Sequence, residues 1–260
     1  MLNKQLNVLM IGDIIGSPGI KEIYLKLSQF KKKENIDLVI VNGENANEGF
    51  GITELNITDF KKSGVDVITS GNHIWISENI DRLLENYDYL LRPANYPKAS
   101  GKGWWKGVIK DSVVGVVNLL GRYYMVPVDC PFNVLDKLLK NELKDCDVVI
   151  IDFHAEFVVE KKALAYDFDG KVSLIAGTHT HVQTADEMIL ENGTGYITDL
   201  GLCGGTDSVI GMIKEDVIKK LINQNIVPFK PSEENPRMQG IIAYIDIQTK
   251  KTIFIKRFSI

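Results

Sequence analysis

Short β-branched runs alternate with amphipathic segments along this chain. NVLMI (7–11) precedes a helical pattern over about Gly19–Lys33, opened by Pro18, whose fixed φ suits a first helical turn. DLVIV (37–41) precedes a second helical stretch, near Glu54–Ser63, closed by Gly64. VDVIT (65–69) precedes a third, near Ser77–Asn86, with Ser77 as its expected N-cap. DVVIID (147–152) and VSLIAG (172–177) repeat the theme with a helical segment between them. Strands that are apolar throughout, instead of at alternate positions, belong to a sheet covered on both faces. The pattern therefore predicts α/β architecture. WWKGVIK (104–110), SVVGVVNLL (112–120), GYIT (195–198), IIAYIDI (241–247) and TIFIKRF (252–258) are further strands, which extend that sheet or form a second one packed on it. Loops rich in Pro and Gly are expected at 92–103 and 226–240. No repeat or break in composition divides the chain, so residues 1–260 are expected to form one domain.

Composition narrows the function classes. The 260 residues are 45% hydrophobic and 25% charged, ordinary for a globular protein with a sizeable core. Thirty Lys and Arg against 34 Asp and Glu leave a formal net charge of −4, so no extended nucleic-acid surface is expected. No apolar run reaches membrane-spanning length, and the first one meets Asp13 too soon for a secretion signal. Three scattered cysteines (Cys130, Cys146, Cys203) support neither a disulfide framework nor a thiolate zinc site, which makes a reducing cytoplasm the expected location.

Chemistry gathers where the strands end. Their carboxyl ends run into Gly12-Asp13, Asn42-Gly43-Glu44-Asn45, Ser70-Gly71-Asn72-His73, Phe153-His154 and Thr178-His179-Thr180-His181. In open α/β sheets the ligand crevice lies outside those ends. The chain has four histidines, and all four fall there. Satisfied core or surface histidines would scatter over helices and tails instead. Side chains at i and i+2 of extended chain point the same way, so His179 and His181 are expected to face one cavity, with Thr178 and Thr180 turned away. Imidazole, carboxylate and amide donors without thiolate suit Mn, Fe, Zn, Co or Ni better than Ca. About seven candidates would hold two ions sharing one carboxylate, for which Glu44 is the central choice. Two divalent ions with Asp13, Glu44 and a bridging hydroxide leave roughly +1, which favours an anionic phosphate ester. His73, beside Asn72, is then free to protonate a leaving alkoxide.

The same blocks resemble a known family. Asn72-His73 within SGNH matches the GNH element of calcineurin-like metallophosphoesterases. GDIIGSPG (12–19), NGENANEGFGIT (42–53), TSGNHIW (69–75), RPANYP (92–97), DFHAE (152–156), GTHTHVQTAD (177–186) and TDLGLCGGTDSVIGM (198–212) resemble the bacterial YmdB-like branch and span most of the chain in order. The resemblance implies a four-layer α-β-β-α sandwich with a dimetal site. It also implies a phosphodiesterase of 2′,3′-cyclic nucleotides, with 3′,5′-cyclic nucleotides or related small phosphodiesters as further substrates, and a metal-bridging hydroxide as nucleophile. By motif position, Asp13, Glu44 and His181 would hold one ion with Asn45 close by. Glu44, Asn72, His154 and His179 would hold the other, and His73 would be the general acid. The cofactors implied are two divalent transition-metal ions, Fe or Mn first, with Zn, Co or Ni as alternatives. Two positions depart from the pattern: Ile15 stands where the commoner Asp-x-His motif has its histidine, and Ile76 stands where many relatives have Asp.

Other signals carry less. The glycines of GDIIGSPG have the wrong spacing for a dinucleotide loop, and neither a Walker A nor a G-x-S-x-G motif is present. Trp104, Trp105, Tyr123 and Tyr124 have rings that could stack on a nucleobase, but core packing or an oligomer contact is the expected use of each, leaving room for a homo-oligomer. Cys203 is expected as a small buried apolar residue. The competing function classes are a phosphomonoesterase or protein phosphatase built on the same metals, and a non-catalytic nucleotide-binding regulator of RNA handling. The expected partner is a small nucleotide or phosphodiester, with no membrane.

Overall fold

The computed structural model describes residues 5–224 and 228–260. In chain order the elements are β1 (Gln5–Ile14), α1 (Gly16–Lys33), β2 (Leu38–Asn42), α2 (Glu54–Ser63), β3 (Val67–Thr69), a 3-10 helix (Asn72–Ile76), α3 (Ile80–Asn86), β4 (Trp104–Ile109) and β5 (Ser112–Leu120). They continue as α4 (Pro131–Lys140), β6 (Val148–His154), α5 (Val158–Asp167), β7 (Leu174–Thr178), β8 (Met188–Ile189), β9 (Gly195–Ile197), β10 (Leu202–Gly205), α6 (Lys214–Asn223), β11 (Pro236–Asp246) and β12 (Lys251–Ser259).

These strands make two six-stranded sheets, ordered β12-β11-β10-β1-β2-β3 and β4-β5-β6-β7-β9-β8. Successive residues of β1 explain the layering. Leu6, Val8 and Met10 enter a core shared with Val114, Val116, Val148, Ile150, Leu174 and Ala176 of the second sheet. Leu9 and Ile11 point the other way, into a core with Ile23, Leu27, Ile57, Phe60 and Leu83 of α1, α2 and α3. The outer face of the second sheet is covered by Leu135 and Leu138 of α4 and Leu164 and Ala165 of α5. Strands buried on both faces, two sheets deep, give the expected four-layer α-β-β-α sandwich.

Local chemistry sets several boundaries. Thr53 caps α2 with a reciprocal pair of bonds to Asn56, and Gly64 ends that helix at φ 98°. The third helix departs from expectation. It starts at Ile80, because Ser77 spends its hydroxyl on the Ile52 N–H at 2.7 Å instead of capping, and residues 72–76 coil into the 3-10 turn. The first helix begins three residues early, at Gly16. The loop expected at 226–240 is shorter: residues 236–240 belong to β11, and 226–227 lie outside the described residues. Of the unplaced strands, β4, β5 and β9 join the second sheet, whereas β11 and β12 extend the first.

The parallel strands β1-β2-β3 and β5-β6-β7 bring their carboxyl ends to one edge, where the two sheets are fastened by polar groups. The Ser70 N–H donates to Asn118 Oδ1 and the Asn118 amide returns a bond to Ser70 O, both at 2.9 Å. Asp152 in β6 accepts from Thr178 Oγ1 at 2.7 Å, from Asn42 Nδ2 at 3.3 Å and from the Thr69 hydroxyl.

Candidate metal centre

That fastened edge carries the site. Asp13 lies near the end of β1, Glu44 and Asn45 in the turn after β2, Asn72 and His73 at the head of the 3-10 helix, His154 at the end of β6, and His179 and His181 just past β7. The structure brings them together. His154 Nε2 lies 3.1 Å from Glu44 Oε1 and 3.0 Å from His179 Nδ1. Ligand atoms of Glu44, His154 and His179 all fall within 4.8 Å of one another. His181 Nε2 is 3.6 Å from Asp13 Oδ1, and Asp13 Oδ2 accepts the His179 N–H at 3.2 Å. Side chains of Asp13, Glu44 and His154 are fully buried, whereas His179 and His73 are 21% and 28% exposed and form the mouth.

The donor set suits cations. The Asn72 side-chain oxygen is buried without a hydrogen-bond partner among the described residues, an arrangement that costs about 1–3 kcal/mol unless something satisfies it. It follows Gly71, where a Cβ would sit 2.3 Å from His154 Nε2 and 2.4 Å from Glu44 Oε2. Only glycine lets the chain pass that close. Three imidazoles have their far nitrogen occupied: Thr178 Oγ1 lies 2.9 Å from His154 Nδ1, Ile210 O lies 2.8 Å from His181 Nδ1, and Glu156 Oε2 lies 3.3 Å from His179 Nε2. The opposite nitrogens thus face the cluster, which is how second partners orient metal-binding histidines. Asn45 turns its amide nitrogen toward Asp13 at 3.5 Å and His181 at 3.3 Å, and its oxygen toward His73 Nδ1 at 2.8 Å.

The expected alternation of an extended strand does not hold here. His179 and His181 both adopt positive φ, 104° and 61°, so they share a cavity because the backbone bends sharply, not because it stays extended. Thr178 does not turn away from the site; its hydroxyl links His154 to Asp152. Such backbone costs about 1–3 kcal/mol per residue and persists only where neighbours impose it. The Asp199 carboxylate accepts the Thr180 N–H at 3.1 Å, and Lys161 Nζ binds both Asp199 Oδ2 and Thr178 O at 2.9 Å.

Burial and mutual charge set the protonation. Burial, the largest influence, would raise the Asp13 carboxyl, but His181, His154 and the His179 N–H together outweigh it and hold Asp13 well below the ordinary range. Burial opposes the charge on His181, yet Asp13 pushes that imidazole up to about 9. Burial and the adjacent His154 push His179 down to about 3. Burial also depresses His73, against the pull of Glu44. Asp152 is raised to about 6 by its complete burial, against its hydroxyl donors and His154.

A model of the YmdB-like protein family matches residues 9–258. The chain belongs to that family. It is 40% identical over 256 residues to a Bacillus subtilis (strain 168) protein named 2′,3′-cyclic-nucleotide 2′-phosphodiesterase, covering 98% of this chain and 97% of that one. The crystal structure of a novel phosphatase from Mycoplasma pneumoniae aligns with a TM-score of 0.94 at 36% identity, over 100% of this chain and 94% of the other. That of a hypothetical protein from Thermus thermophilus aligns with a TM-score of 0.90 at 34% identity, over 98% and 99%.

Within this YmdB-like chain, the two departures from pattern resolve geometrically. Ile15 is fully buried against Leu202, Met212 and Val217, and Asn45 occupies the space beside Asp13 and His181. Ile76 is 60% exposed; His73 is supported by Asn45, and its backbone N–H binds Glu44 Oε2 at 3.0 Å. Sequence reasoning turned Thr178 the wrong way and assigned no role to Asp152, Asp199 or Lys161. The one signal for Asp152 is a carboxylate inside an otherwise apolar strand, DVVIIDFH. Glu156, half-exposed and 3.3 Å from His179 Nε2, was also passed over.

Proposed function

We propose that this chain is a metal-dependent phosphoric-diester hydrolase acting on 2′,3′-cyclic nucleotides, with 3′,5′-cyclic nucleotides as a second class. Kinship to the named phosphodiesterase supports the class of reaction. The observation that carries the reading is that His154 Nε2 lies 3.1 Å from Glu44 Oε1 and 3.0 Å from His179 Nδ1, groups delivered at the ends of three strands far apart in sequence. Asp13, Glu44 and His181 would hold one divalent ion with Asn45 beside them; Glu44, Asn72, His154 and His179 would hold the other. Fe and Mn suit these nitrogen and oxygen donors, with Zn, Co and Ni behind them. Bound, the pair would acidify water and neutralise charge on the phosphoryl oxygens.

The chain's own residues do the rest. Glu44 sits at the centre, one oxygen toward His154 and the other toward the His73 backbone. His73 donates from Nδ1 to Asn45 Oδ1, which leaves Nε2 as its second proton site. Protonated there, with Glu44 favouring the charge that burial opposes, Nε2 would deliver its proton to the ribose oxygen as the P–O bond breaks; water gives its hydroxyl to phosphorus, and its remaining proton recharges His73 through solvent. Residues 1–260 act as one metallophosphoesterase domain in this reading, since both sheets contribute donors. The three cysteines are free among the described residues, in keeping with a reducing cytoplasm.

The test is purified protein loaded with Mn²⁺ or Fe²⁺ and assayed on 2′,3′-cyclic AMP, bis-p-nitrophenyl phosphate and p-nitrophenyl phosphate, with elemental analysis alongside. Turnover of both diesters and about two transition-metal ions per chain are expected. Preference for the monoester would sink the proposal, as would nucleotide binding without turnover.

A further inference from the structure

An aromatic cluster stands beside the candidate centre, and neither the core nor the ligand set uses it. Tyr123 is 61% exposed and Tyr124 83%, so the core packing expected of them does not occur. Their rings flank Phe157 at centroid distances of 5.6 Å and 5.7 Å. Tyr124 meets Phe157 at 86°, an edge-on contact that leaves ring faces uncovered.

The cluster is anchored to the site from two sides. Phe157 directly follows Glu156, which contacts His179. Gly121, two residues before Tyr123, donates its N–H to His154 O at 2.9 Å. The loop is also firmly tied. Arg122 and Tyr123 donate their N–H groups to the buried Glu160 carboxylate at 3.0 and 3.3 Å, and the Asn95 side chain binds Leu120 O at 2.8 Å and Asp129 O at 3.0 Å, spanning the loop's base. Tyr124 holds φ 61°, a backbone region that bulky residues rarely adopt. Large rings held in water on a tied loop, one of them on strained backbone, offer flat faces at a fixed place beside the site. Beside a phosphodiester centre, the flat group that a nucleotide brings is its base.

We infer that Tyr123, Tyr124 and Phe157 form the stacking subsite for the nucleobase of the substrate, favouring purines over pyrimidines. The inference rests on the phosphodiesterase reading and deepens it. Stacking on aromatic side chains tolerates every base, and the two-ring purines bring more apolar area to bury than the pyrimidines.

The experiment compares wild type with Tyr123→Ala/Tyr124→Ala, both positions being exposed enough to leave folding intact. Substrates are 2′,3′-cyclic AMP, 2′,3′-cyclic UMP and glycerol 1,2-cyclic phosphate, which has the reactive ring but no base. The variant is expected to raise KM for cyclic AMP by about 5- to 160-fold, the range of one lost base stack. Its kcat should hold within about two-fold, the purine preference should disappear, and the base-free ester should be unaffected. An equal loss on all three substrates overturns the inference, as does no loss on cyclic AMP. So does a change confined to oligomeric state in analytical ultracentrifugation. Binding of adenosine 3′-monophosphate, the product of opening the 2′ ester, by calorimetry separates the two layers. If wild type turns over no diester, the phosphodiesterase reading falls, while weaker nucleotide binding by the variant still supports the subsite and equal binding refutes it.

Discussion

Replacing Lys161 with Met tests what compels the bent segment that carries His179 and His181. Lys161 and Asp199 are 1% and 0% exposed, and their charges meet at 2.9 Å. Met fills similar volume without the charge, so Asp199 keeps its N–H donors from Thr180 and Gly201 but loses its cation, and Thr178 O loses its donor. Removing one partner of a buried ion pair costs about 3–5 kcal/mol. At this chain length Tm moves by about 2 °C per kcal/mol, so the expected fall is about 6–10 °C. Calorimetry on metal-free protein isolates this term from cation binding. The double variant Lys161→Met/Asp199→Leu removes the stranded charge and should recover more than half of the lost stability. It also deprives the Thr180 N–H of its acceptor, so metal content should stay low although the fold returns. A Tm drop below about 2 °C for the single variant, or full metal occupancy in the double one, would refute the reasoning.

Two further substitutions probe the centre itself. His73→Ala should cut diester turnover by about 10²-fold or more while metal content by elemental analysis stays at the wild-type level; a fall in metal would make His73 a ligand instead. Gly71→Ala should place a methyl group 2.3 Å from His154 Nε2 and displace either that imidazole or Glu44. Overpacking costs about 1–3 kcal/mol, so the variant should fold but lose metal and activity together; unchanged metal content would contradict the close passage.

How far the sequence could be read depended on the range of the information. Burial of β1 on both faces was legible because its run is apolar throughout, a local signal, whereas the second sheet and the four layers came only with the family resemblance. The site was legible because strand ends are local and the four histidines cluster at them. Sheet membership was not. Whether GYIT pairs beside β7 or extends the first sheet depends on partners distant in sequence, and nothing in four residues encodes it. Backbone handedness was equally hidden. His179 and His181 carry no glycine to announce positive φ, and the bend is imposed from Asp199, Lys161 and Asp13. Ser77 fits a helix cap by type, yet the Ile52 N–H, brought close by folding, takes its hydroxyl.

The least legible group, Asp152, explains how one imidazole is aimed. Its carboxylate accepts from hydroxyls of Thr69 and Thr178 and from the Asn42 amide, groups delivered by three strands in two sheets. Because Thr178 gives its only hydroxyl proton to Asp152, its oxygen can meet His154 Nδ1 at 2.9 Å only as an acceptor. His154 must then carry a proton on Nδ1 and turn Nε2 toward Glu44 and His179. A buried acid thus fixes which nitrogen faces the candidate centre, and it does so through contacts that also hold the two sheets together. Fold and ligand orientation share the same hydrogen bonds, so Asp152→Ala should disturb both at once, lowering the Tm of metal-free protein and its capacity for metal. A variant that lost only stability would show that His154 is aimed by something other than this relay.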